Sequence, residues 1–131
     1  MEPTRLFAII SWVSLPTVMY GGYALLNLTL RGRLNPAQER SFRAGHAHAG
    51  VLILLSLLYT NALAQTTLSR GLQWVLCDAL LAGVLAQSGG FFLHMALGKP
   101  GERSVGTTVT TVGALLLAVA ILTLAYGLVI A

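Results

Sequence analysis

The sequence predicts an all-α integral membrane protein, a four-helix bundle running up-down-up-down with both termini on the same, outer side. Three observations carry that prediction. Apolar residues make up 56% of the chain and charged residues only 9%, far from the quarter of charged residues usual in soluble domains. The mean hydropathy is +0.77, and four apolar stretches are each long enough to cross roughly 30 Å of hydrocarbon at about 1.5 Å per residue. No ten-residue alternation suggests barrel strands, so helices must satisfy the backbone in lipid.

The first helix spans about Leu6 to Leu30. It is too long for a signal peptide, contains Pro16 and lacks an A-x-A cleavage site, so it is expected to be retained. The second spans residues 36–66, with residues 44–65 in the membrane. Asn35-Pro36-Ala37-Gln38 reads as an N-cap, a first-position proline and a third-position glutamine, which starts this helix about two polar turns below the bilayer. The third covers residues 72–97 and the fourth residues 105–131. The 131 residues form one transmembrane domain, leaving function to the bundle or its rims.

The chain has eight Lys and Arg. Arg31, Arg33, Arg40 and Arg43 join helices one and two, and Lys99 and Arg103 join three and four. The opposite face has only Arg5 and Arg70, and the positive-inside rule therefore puts both termini outside. These charges orient helices or meet anionic lipid, so no nucleic-acid partner is expected despite a pI near 9.9. Trp12 and Trp74 read as interface anchors. Cys77 is the single cysteine; it forms no intrachain disulfide and reads as a small buried apolar residue. The expected location is a prokaryotic cell membrane.

All three histidines fall at one depth. His46 and His48, in RAGHAHAG, open the apolar part of helix two, and His94, in GGFFLHMALG, closes helix three. Antiparallel neighbours with short links hold these positions level whichever side is inside. Residues i and i+2 of a helix point about 200° apart, so the two imidazoles of H-A-H face different neighbours. A zinc site built on one helix prefers i and i+4, which makes this pair a poor chelator. His94 shares a stripe with Gly83, Gln87 and Gly90. Such a stripe admits a neighbouring helix or a flat ligand, and Gly90, one turn from His94, leaves room for a planar macrocycle. Ala44, Gly45, Ala47, Ala49 and Gly50 provide corresponding space on helix two.

The stretch GHAHAGVLILLSLLY, about fifteen residues, resembles the helix of heme-copper oxidase subunit I in which an H-x-H pair carries two axial heme ligands on opposite faces. That resemblance implies that His46 and His48 are iron ligands facing different neighbours, with His94 the opposing ligand from helix three. The family's copper site and cross-linked tyrosine have no counterpart among three histidines, so the implied activity is heme binding without oxygen reduction. A b-type heme in a bundle needs an apolar slot, one or two imidazoles, and cations for its propionates. Arg43, Lys99 and Arg103 lie where such cations are needed. If His94 pairs with one histidine of helix two, the other must meet a second subunit, a cofactor or a lipid headgroup. A homo-oligomer, or membership of a larger membrane complex, follows from that.

Asp78, inside the third span, is either a proton or cation site or a structural partner of Asn61 or Tyr59. Tyr20 and Tyr23, around Gly21-Gly22, read as aromatic core or as hydrogen-bond partners of a histidine or propionate. GVLAQSGG and MYGGY read as helix contacts, and Thr107, Thr108, Thr110 and Thr111 as bonding their own preceding carbonyls. No triad, Walker loop or carboxylate pair supports soluble-type hydrolysis. Three functions remain: a membrane heme protein with an electron-transfer or other redox role, a copper, nickel or zinc ion carrier, and a structural or assembly subunit with hydrogen-bonded histidines.

Overall fold

The computed structural model describes residues 1–131 as four helices, α1 (Pro3–Leu30), α2 (Pro36–Leu63), α3 (Arg70–Leu97) and α4 (Val105–Val129). All four are long and apolar enough to cross a membrane. The 28-residue helices are about 42 Å long, enough to pass the hydrocarbon and enter both headgroup layers.

Local chemistry sets the ends. Pro3 occupies the first turn of α1, where its missing N–H removes no helical bond, and so the helix starts three residues before the apolar run. Gly32 ends it at φ +60, with Gly32 N–H donating to Thr29 O at 3.0 Å and Arg33 N–H to Leu28 O at 3.0 Å. This is a Schellman closure, which favours glycine at its left-handed position. The expected capping box at Asn35 is present: its Oδ1 accepts from the N–H groups of Ala37 and Gln38, and Gln38 Oε1 accepts from Asn35 N–H. Ser69 accepts from Leu72 N–H and so begins α3 two residues earlier than hydropathy suggests. Ser104 and Thr107 cap α4 reciprocally. The helices stop at Leu63 and Val129, short of the predicted 66 and 131.

Packing is uneven. The α3–α4 contact is the most extensive, α1 touches α2 and only slightly α3, and α1 does not meet α4. Gly106, Gly113, Ala120 and Gly127, at intervals of seven, are the buried stripe of α4 together with Leu117 and Leu124. A seven-residue repeat of small side chains holds one seam against a neighbour and lets the backbones approach closely. A Cβ on Gly113 would lie 2.3 Å from Gln87 N, and one on Gly106 2.3 Å from His94 N. Tyr59 ties α2 to this pair by donating its hydroxyl to Ala120 O at 3.0 Å.

Two rims result. The α1–α2 and α3–α4 links form a basic rim; the termini and the α2–α3 link form the far rim, where Arg70 donates to Met1 O at 3.1 Å and Leu68 packs on Gly127. The apolar core, including Phe7, Tyr59, Leu63, Leu80, Leu117 and Ala120, occupies the half nearer the far rim. The histidine half lacks such a core, and grooves open there. Cys77 is buried and free, as expected. Tyr20 and Tyr23 depart from expectation: both are exposed on α1, their rings 6.2 Å apart. They lie on the half of α1 that buries nothing, since its buried residues are Pro3, Phe7 and Ser11. Trp12 is exposed, while Trp74 meets Phe7 edge-on at 6.1 Å.

Candidate functional site

The two histidines of α2 separate as the helical angle requires. His46 lies against α1, where a Cβ on Gly22 would come within 3.1 Å of its Nε2 and one on Gly21 within 3.3 Å of its Nδ1. Glycines at both positions therefore make room for the ring. His48 turns toward α3 and stacks on Phe91 at 4.8 Å. Its Nδ1 lies 2.8 Å from Ala44 O. A carbonyl only accepts, so Nδ1 carries the proton and Nε2 keeps its lone pair, the tautomer that ligating histidines often use.

His94 is engaged across the α3–α4 link. Its Nδ1 is 2.7 Å from Ser104 Oγ, which ties the end of α3 to the start of α4. Gly90 is closed on the side its Cβ would take, where an added Cβ would lie 2.2 Å from Thr110 Oγ1 and 2.6 Å from Gly106 O, and it also borders a groove beside His94. Gln87 is covered by Gly113 in the same way, and its carbonyl accepts from Thr110 Oγ1 at 3.4 Å. The Gly83-Gln87-Gly90-His94 stripe is thus a helix contact. Gly45 is also closed, by Phe91 and Phe92. No group of three or more His, Cys, Asp or Glu side chains converges in the chain.

Two grooves remain beside the imidazoles. Between α1 and α2 lies one of about 400 Å³, lined by His46 with Leu15, Val18, Met19, Gly50 and Leu54 among others, within the range of roughly 300–1,000 Å³ typical of small-ligand sites. Gly50 keeps it open, its nearest neighbour being Val18. Hydrogen bonds engage the other two imidazoles, and none engages His46. Arg43, exposed and ion-paired with Glu39, stands one turn away on the α2 stripe that continues through Ala47, Gly50 and Leu54. The second groove, between α2, α3 and α4, has a different lining, with Arg40, Ser41, His94, Thr107 and Thr111 around Ala44 and Phe91.

Several of these residues escaped the sequence reading. Met19 gave no signal of its own, and Arg40 stood out only as one of the rim charges. Ser11, Ser14, Thr17, Ser56 and Ser88 line a hollow of about 250 Å³ between α1, α2 and α3; hydroxyls at three-residue intervals in α1 are its trace in the sequence. Ser11, Ser14, Ser56 and Ser88 each donate to the carbonyl four residues before, which satisfies them within their helices. Thr108 and Thr111 do likewise and Thr107 donates to the carbonyl three residues before, as expected, and Thr110 instead reaches Gln87 O. Asp78 pairs with neither expected partner: Tyr59 donates to Ala120 O, Asn61 bonds Gln65, and Asp78 lies exposed on α3. No family model, curated protein or solved structure matches the chain.

Proposed function

We propose that this chain is a membrane b-type heme protein with an electron-transfer or related redox role, and that the heme lies in the α1–α2 groove with His46 as an axial ligand. The observation that carries the reading is His46 itself, an imidazole without a hydrogen-bond partner that packs on Gly21 and Gly22 and borders an apolar groove. An unpartnered imidazole inside a membrane is costly and functional by default. Met19, exposed on the α1 wall of the same groove, would be a second candidate ligand, a thioether of the kind that electron-transfer cytochromes use. Arg43 offers the cation for a propionate. The bound heme would supply one-electron iron chemistry; the chain would supply the ligand, an apolar slot and charge compensation.

The setting proposed is a prokaryotic cell membrane, with the basic rim cytoplasmic. A second copy of the chain, or another subunit, is proposed against the α3 face carrying Asp78, because a carboxylate about two turns into the span is seldom left to lipid.

The test is the absorption spectrum of protein purified from heme-replete cells, before and after dithionite. The expected result is a Soret band that shifts on reduction, is lost in His46→Ala and survives in His94→Ala, with helicity equal in all three. Absence of the band even after hemin titration, or its persistence in His46→Ala, overturns the reading and leaves His46 as a helix-contact residue.

A further inference from the structure

The second groove has chemistry that a porphyrin does not need. It measures about 440 Å³ and opens between the first membrane turns of α2 and α4, where those helices diverge; at the opposite end Tyr59 draws them together. Its floor is Ala44, Gly90 and Phe91, and its mouth at the basic rim is Arg40. A smaller hollow of about 180 Å³ adjoins it through Ser41 and His94 and includes Lys99. Apolar at the floor and cationic at the mouth, the groove sits at headgroup depth.

Charge at this rim is strongly one-sided. Arg31, Arg33, Arg40, Arg43, Lys99 and Arg103 face only Glu39 and Glu102, while Arg5 and Arg70 at the other end are balanced by Glu2 and Asp78. The whole formal charge of +4 therefore belongs to the basic rim. Glu39 is taken by Arg43, and the only other ion pair is Arg70 with Glu2 at 3.4 Å, which leaves Arg40 without a carboxylate. Donors flank it. The Ser41 hydroxyl lines both hollows and has no partner within the chain. Ser104 Oγ accepts from Thr107 N–H and lies 2.7 Å from His94 Nδ1, which leaves Nε2 as the ring nitrogen of His94 without a partner in the chain.

We infer that this groove binds one anionic phospholipid of the surrounding leaflet, its phosphate against Arg40, Ser41 and His94 and an acyl chain along Ala44 and Phe91. Lipid is the occupant because the groove opens toward the membrane, with apolar walls continuing from its cationic mouth, whereas a free anion would use only the mouth. The site is independent of the heme reading, which concerns the other side of α2.

Native mass spectrometry of the full chain in detergent, titrated with phosphatidylglycerol or phosphatidylcholine, tests it. One phosphatidylglycerol is expected to bind about fivefold more tightly than phosphatidylcholine, the preference a single well-placed cation gives. Arg40→Gln should abolish that preference, and Ala44→Leu, which fills the floor without changing charge, should weaken binding of the lipid. Arg33→Gln, an equal loss of charge on the same rim outside the groove, should leave both unchanged. The inference is overturned if there is no preference, if Arg33→Gln acts as strongly as Arg40→Gln, if Ala44→Leu has no effect in a protein of normal helicity, or if inorganic phosphate displaces the lipid and so marks a soluble-anion site.

Discussion

At the scale of single residues, the divergence of His46 and His48 is fixed by helical geometry and was legible in three letters, H-A-H. The direction of His94 was not, because it depends on Ser104, a residue across a loop whose hydroxyl captures the ring. The α4 contact of Gly90 was illegible for a related reason. Its missing side chain creates space, but what fills that space is decided by α4, whose Gly106 and Thr110 occupy it. Glycines in such a seam tolerate no side chain: Gly113→Leu would drive a Cβ into the backbone of Gln87. We expect it to destabilise the fold by about 1–3 kcal/mol, the range for overpacking, measured as a shift in the reversible unfolding transition in mixed micelles. Gly71, with open space around it, is the control, and Gly71→Ala should be neutral.

At the scale of elements, the helices were readable because hydropathy and caps agree. Asn35 begins α2 where predicted, and α3 gains two residues from a cap, Ser69, that hydropathy does not register. Neighbour choice was less legible. The small-residue repeat of α4, at positions 106, 113, 120 and 127, marks a tight seam, yet only the fold shows that α3 fills it at Gly106 and Gly113, the Tyr59 phenol of α2 reaches Ala120, and the α2–α3 link packs on Gly127. Tyr59→Phe removes that α2–α4 hydrogen bond while keeping the ring. The expected loss is about 0.6 kcal/mol, the average for such bonds between membrane helices, and should be read by the same unfolding measurement. A much larger loss would mean that the two helices depend on this bond alone.

For the molecule as a whole, the segregation of charge sets orientation. Single cysteines at Glu102 and Thr67, in a Cys77→Ala background, should differ in labelling by a membrane-impermeant maleimide, with only the Thr67 position reached from outside intact cells. Asp78→Leu should reduce the mass of the purified complex toward a monomer if a second chain covers that face, as native mass spectrometry will read; an unchanged mass would remove the carboxylate from the interface. Finally, the buried residues of α1 all lie in its first three turns, and beyond them the helix is held where His46 packs on Gly21 and Gly22. Met19 sits about 18 Å along it from Phe7, so a tilt of about 10° moves the thioether about 3 Å across the seam. Because helices answer bilayer thickness by tilting, the thickness of the host membrane becomes a control on the gap between Met19 and His46.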